Sequence, residues 1–189
     1  PLPGERVLDA CAAPGGKTAL LAAMMRNTGT IVAADSDPHR LGQLGANLSR
    51  LAVDNAEFTL VDWLRYRQSS KLARETLESE PFDRILVDVP CSNTGVLRRR
   101  VDARWRLAPG DFTRMPRIQL AIVEAVLPML KPGGALVYST CSLECEENDA
   151  LVASLRDGHP GLAHLDSLTL TPFEHGHDGA FAALFERRE

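Results

Sequence analysis

Apolar residues recur along this chain at two different spacings. Short, nearly continuous apolar runs at 6–10, 30–34, 56–61, 82–88 and 135–140 have the pattern of buried strands. Between them, 17–27, 38–52, 112–130 and 144–157 carry apolar positions three and four apart, as a helix with one buried face requires. Such alternation predicts an α/β fold, with a mostly parallel sheet, helices on both faces and right-handed crossovers. Two more runs, 162–171 and 180–186, flank a turn at 175–179 and are expected to pair and close one sheet edge, completing seven strands. Pro116 and Pro128 fall inside the third helical pattern, so a late start, a kink or a break is expected there. The least regular stretch, 89–111, follows a strand, and a loop that long in a compact domain is usually functional.

The 189 residues suffice for one well-buried domain, and the whole of 1–189 is read as a single catalytic domain. No apolar run approaches the ~20 residues that span a bilayer, so no membrane partner is expected. The chain opens on Pro1, Leu2 and Pro3 and reaches its first strand within a few residues, so it is expected to be a piece of a longer protein. Its four cysteines, at 11, 91, 141 and 145, lack the pairing of a disulfide scaffold or a metal site, which points to reduced thiols in a cytoplasmic protein that needs no metal. A net charge of −4 is not that of a free-standing nucleic-acid binder. Arg98, Arg99, Arg100, Arg104 and Arg106 nevertheless cluster with only Asp102 to oppose them. Such a run is either a solvated loop or a guide for a polyanion.

Candidate chemistry begins at 9–18, where the first strand ends and the first helix opens, the place at which doubly wound sheets bind nucleotide-like ligands. A phosphate-binding loop would need glycine at position 11, which is Cys11, and a dinucleotide fingerprint needs more glycines than the pair Gly15 and Gly16. Asp35 ends the second strand, placed to accept hydrogen bonds from both hydroxyls of an unphosphorylated ribose. With Asp9, Asp62 and Asp88 it puts acids at four strand ends, each of which alone could be a loop residue or a helix cap. A ligand with a ribose and an ammonium group suits that rim.

Cys91 and Cys141 come just past the ends of the fourth and fifth strands. Either alone could be a small buried packing residue. Beside the proposed rim they suit covalent catalysis, in which a thiolate adding to carbon 6 of cytosine turns carbon 5 into an enamine-like nucleophile able to take a methyl group from a sulfonium.

Four segments, 9–18, 88–95, 139–142 with Glu147 and Asn148 following, and 176–183, closely resemble the RNA cytosine-5 methyltransferases of the Sun type, which include bacterial ribosomal RNA enzymes. They run in family order across nearly the whole chain. The resemblance implies a Rossmann-like class I fold, S-adenosylmethionine as cofactor and RNA, ribosomal RNA foremost, as substrate. It implies that Cys141 attacks carbon 6 and Cys91 helps release the product. Lys17 would lie near the base, and Asp88 would hydrogen-bond the cytosine or face the cofactor's ammonium. Cys11, Ala12, Ala13, Pro14, Gly15, Gly16 and Lys17 would surround the methionine part, with Asp35 on the ribose and Asp62 near the adenine. Arg98, Arg99 and Arg100 are the candidate RNA contacts. The chain departs from the commonest pattern at Cys145, where proline is frequent, and the RNA-binding region that members carry ahead of the catalytic domain falls outside it. Two alternatives are a methyltransferase acting on another RNA or protein atom, recognisable by failure to form an adduct with RNA, and an idle RNA- or protein-binding module, which Cys141, Cys91, Lys17 and Asp88 argue against.

Overall fold

A computed structural model describes residues 1–188. The elements are β1 (Arg6–Asp9), α1 (Gly16–Met24), β2 (Thr30–Asp35), α2 (Pro38–Arg50), β3 (Ala56–Leu60), α3 (Lys71–Glu78), β4 (Phe82–Asp88), α4 (Ala103–Arg106), α5 (Asp111–Val126), β5 (Leu130–Thr140), α6 (Asp149–Gly158), β6 (Leu162–Leu170), α7 (Pro172–His175) and β7 (Ala180–Arg187). They form one sheet of seven strands in the order β3-β2-β1-β4-β5-β7-β6. β1 to β5 pair in parallel, and β7 inserts antiparallel between β5 and β6. Among the described residues no helix is long and apolar enough to cross a membrane.

Both faces of the sheet are covered, as the apolar strands demand. Val7, Ala22, Met25 and Ile31, with Leu44 and Leu48 alongside, are buried under α1 and α2. Ile122, Val126, Leu151 and Leu155 from α5 and α6 pack with Phe82, Ile85 and Leu136 on the other face. The order of strands reverses between β1 and β4, which opens a crevice at their carboxyl ends. β2, β4 and β5 deliver their last residues, Asp35, Asp88 and Thr140, to that crevice, and β1 leads into it through Ala10 and Cys11.

Local signals explain most boundaries. Asp37 caps α2 by accepting the backbone N–H groups of His39 and Arg40 at 2.8 and 3.2 Å, with Pro38 in the first turn. The pattern at 112–130 is instead divided: α5 runs unbroken through Pro116, and a 3-10 turn at Leu127–Met129 containing Pro128 ends it before β5 begins at Leu130. α6 starts at Asp149, five residues beyond the pattern's start at 144, because Cys145–Glu147 form a 3-10 turn that faces inward at Glu147. α3 was not legible, since only Ala73 and Leu77 on it are buried. Its start is fixed by Ser70, whose hydroxyl accepts from Ala73 N–H at 3.1 Å.

The irregular stretch after β4 is locked to its neighbours at Gly95. Its N–H donates to the Cys141 carbonyl at 3.0 Å and its own carbonyl accepts from Gly179 at 2.8 Å. A Cβ here would lie 2.7 Å from the Cys141 oxygen and 2.8 Å from the Gly179 oxygen, both backbone atoms. Gly95→Ala is therefore expected to force the loops after β4 and β5 apart at a cost of about 1–3 kcal/mol, several degrees of unfolding midpoint. Calorimetry checks this; an unchanged midpoint contradicts it.

Candidate active site

The turn from β1 into α1 is built for close backbone approach. Gly15 has φ of 102°, a left-handed conformation that side chains rarely adopt, and stands at the start of α1. α2 holds the turn from outside: Asn47 Nδ2 donates to the Pro14 carbonyl at 2.9 Å and the Arg40 guanidinium donates to that of Ala13. Ala13 N–H in turn donates to Asp35 Oδ2 at 3.1 Å. Asp35 is 3% exposed, lies 3.6 Å from the Arg40 guanidinium, and lines the cleft.

The four acids at strand ends do not share one role. Asp35, Asp62 and Asp88 line a cleft of about 1240 Å³ together with Cys11, Ala13, Pro14 and Lys17. Asp9 does not reach it: fully buried, it takes the Thr18 hydroxyl on Oδ2 at 2.7 Å, and its Oδ1 has no hydrogen-bond partner among the described residues. Burial lifts its carboxyl to about 6, and Asp88 adds to the effect. Asp9 thus braces the turn against α1 from inside the fold. Asp62 is a helix cap as well as a lining residue, accepting from Leu64 N–H at 3.1 Å. Asp88 is shared between Lys17 Nζ at 2.5 Å on Oδ2 and the Ser139 hydroxyl at 2.7 Å on Oδ1.

Asp88 and Ser139 are paired neighbours on β4 and β5, so the residues that follow them, leading to Cys91 and Cys141, emerge side by side. The two sulfurs are 3.1 Å apart. Cys91 is 6% exposed and Cys141 half-buried. Their thiols are pushed in opposite directions. The hydrogen bond from Cys91 pulls the Cys141 thiol below its ordinary value against burial and the Asp88 charge, and Arg100 helps; the same contact and burial push Cys91 up. Burial also raises the Cys11 thiol. Cys141 is the more acidic thiol of the pair. When protonated, it donates to Asn93 Oδ1 at 3.2 Å, while Asn93 Nδ2 donates to the Cys91 carbonyl at 2.7 Å.

One buried carboxylate holds both cysteine loops. Glu147 accepts Ser92 N–H at 3.0 Å, the Ser142 hydroxyl at 2.8 Å and Gln119 Nε2 at 2.6 Å, and Ser92 and Ser142 are the residues after the two cysteines. Its carbonyl takes the Tyr138 hydroxyl at 2.7 Å. Asn148 extends the clamp by accepting from Thr140 at 2.8 Å and donating to the Ser142 carbonyl at 3.0 Å. The sequence offered Glu147 and Asn148 only as part of a motif, with no role attached to either.

The three candidate RNA contacts are separated by the structure. Arg98 and Arg99 pair with Asp178 at 2.6 and 2.8 Å, pinning the turn before β7. Arg100 lines the cleft beside the cysteines, as do Arg106 and Arg114. Among the described residues no group of three or more His, Cys, Asp or Glu side chains could hold a metal ion.

The sequence profile of the family described as 16S rRNA methyltransferase RsmB/F matches residues 1–186. The chain is 42% identical over 154 residues to the ribosomal RNA small subunit methyltransferase B of Enterobacter sp. (strain 638), covering 82% of this chain and 34% of that protein. It thus spans about a third of the length of that curated relative. Among solved structures, NSun6 from Pyrococcus horikoshii with SFG superposes with a TM-score of 0.85 at 28% identity over 100% of this chain and 49% of that one. A methyltransferase homologue from Pyrococcus horikoshii superposes with a TM-score of 0.82 at 34% identity, covering 99% and 63%.

The thiol pair has a measurable signature. Alkylation by iodoacetamide, followed by peptide mass spectrometry across pH, should modify Cys141 at lower pH than Cys91. In Cys91→Ala the hydrogen bond that favours the Cys141 thiolate is gone, so the Cys141 profile should move to higher pH. An unmoved profile, or one moved downward, contradicts the pairing.

Proposed function

The chain belongs to the 16S rRNA methyltransferase RsmB/F family, and from that premise we propose that it transfers a methyl group from S-adenosylmethionine to carbon 5 of a cytosine in RNA, ribosomal RNA being the target. The observation that carries the proposal is the contact of Cys91 and Cys141 at 3.1 Å, with Cys141 the more acidic thiol. Transfer to an oxygen or an amino nitrogen has no use for a thiolate backed by a second thiol. Carbon 5 of cytosine does, because it is nucleophilic only after addition at carbon 6. Four free cysteines suit the reducing cytoplasm in which such chemistry would run.

The chain's own residues fit the cofactor. The turn at Gly15 and Gly16, with open space at Gly16, would take its methionine part with Cys11, Ala12, Ala13, Pro14 and Lys17 around it. Asp35 would receive the ribose hydroxyls and Asp62 would face the adenine. Each carboxylate oxygen of Asp35 has acceptor capacity beyond the backbone N–H groups of Ala13 and Asp37 that it already takes. S-adenosylmethionine, when bound, supplies a methyl group on a positively charged sulfur.

The residues then divide the work. Cys141 adds to carbon 6 as the thiolate, while Asp88 accepts from the exocyclic amine of the cytosine and holds Lys17 beside the ring. Carbon 5 takes the methyl group. The carbon 5 proton passes to solvent, its bonding electrons re-form the ring double bond as the carbon–sulfur bond breaks, and the Cys91 thiol, in contact with the departing Cys141 sulfur, stabilises it by a hydrogen bond. Arg100 stabilises the Cys141 thiolate and faces the incoming phosphates, and Arg98 and Arg99 add positive potential behind it.

Incubation with RNA and methyl-labelled cofactor, followed by nucleoside analysis, should place the label in 5-methylcytidine. Label in another nucleoside contradicts the proposal. Asp35→Ala should weaken cofactor binding by about 10- to 30-fold, two hydrogen bonds at ~1 kcal/mol each, in calorimetric titration. Unchanged affinity removes Asp35 from the ribose.

A further inference from the structure

The chain has two tryptophans, and the fold uses only one of them. Trp63 is buried, stacks on Tyr66 with ring centroids 5.6 Å apart, and gives its indole N–H to the Ala10 carbonyl at 2.6 Å. Trp105, on the short helix α4, is 80% exposed. Among the described residues its ring meets no other ring and its indole N–H has no acceptor. A single exposed apolar side chain needs no explanation by itself. The surroundings of this one do call for an explanation.

α4 stands at the rim of the cleft that holds Cys141. Ala103 is buried against that cleft, and Arg100, Arg106 and Leu107, close before and after Trp105 in the chain, line it. Arg104, the residue before Trp105, is exposed and makes no ion pair among the described residues. The one acid within 98–106, Asp102, is engaged by Arg106. The exposed indole thus stands on the short helix whose Ala103 and Arg106 line a site that has to receive one base out of a strand. RNA enzymes that act on a base need it unstacked, and the bases on either side then lose a neighbour. An exposed aromatic face can replace that neighbour, while arginines hold the phosphates.

We propose that Trp105 is a stacking platform for a base flanking the target cytosine, with Arg100, Arg104 and Arg106 holding the strand's backbone. This rests on the proposed RNA substrate. The local excess of positive charge selects a polyanion over an apolar protein partner, which would leave those cations desolvated and unpaired.

The test uses this chain and a short single-stranded RNA containing one cytosine. RNA should quench tryptophan emission saturably, and the quenching should be largely lost in Trp105→Phe, where Trp63, buried but lining the same cleft, is the tryptophan that remains. Trp105→Ala should lose about 5- to 150-fold in RNA affinity, the effect of removing one base–aromatic stack, with the salt dependence of binding and the affinity for S-adenosylmethionine unchanged. Trp105→Phe should restore much of it. Arg100→Ala should instead lower the counterion slope by about 0.7. If the unaltered chain binds RNA and methylates it while Trp105→Ala binds equally well, the stacking site is overturned and the proposed function stands. If RNA binding leaves the emission unquenched, the platform is likewise overturned and the indole is a protein contact. If the unaltered chain neither binds nor methylates RNA, the proposed function falls and the platform with it.

Discussion

Two thiols 3.1 Å apart can share one proton, and the site depends on that sharing being unequal. Cys91 is the more buried, and its contact with Cys141 and its burial push its thiol up; the hydrogen bond from Cys91 pulls the more exposed Cys141 thiol down, and Arg100 helps. The contact exists because β4 and β5 are parallel neighbours whose carboxyl ends come out in register, and because Glu147 ties the residue after each cysteine to one carboxylate.

The same geometry joins the cleft's two halves. Asp88 ends the strand that leads to Cys91, and its carboxylate spans from Lys17, in the first turn of α1, to Ser139 on the strand that leads to Cys141. Under the proposed function this places the group that recognises the base between the cofactor turn and the nucleophile. Asp9 and Arg40 keep the turn itself in place, one from beneath and one from α2. A preorganised cleft of this kind loses little by reorganising when its ligands arrive.

Much of this was legible in the residues alone. The alternation of strand and helix patterns gave the sheet, because strands buried on both faces are nearly continuous in apolar residues. Cys91, Cys141 and Asp88 were legible together because each falls at or just past the end of a strand, and a doubly wound sheet brings those ends together, whereas the place of Lys17 by the base came only with the family resemblance. What escaped depends on contacts between loops far apart in sequence. The Ser92 to Glu147 bond spans 55 residues, and the ion pair of Arg98 with Asp178 spans 80. No local pattern announces such partners. Asp9 was grouped with the other strand-end acids because sequence position does not reveal which way a side chain turns, and α3 was missed because its buried face amounts to two residues.

The central claim is that the two cysteines act in order, Cys141 before Cys91, and a denaturing gel with labelled RNA and S-adenosylmethionine tests it most directly. An account in which Cys141 forms the bond and Cys91 helps to break it predicts a covalent protein–RNA species that accumulates in Cys91→Ala. It predicts none in Cys141→Ala, and none in the double variant, since the earlier step masks the later one. Accumulation in Cys141→Ala and not in Cys91→Ala would contradict the account and make Cys91 the nucleophile.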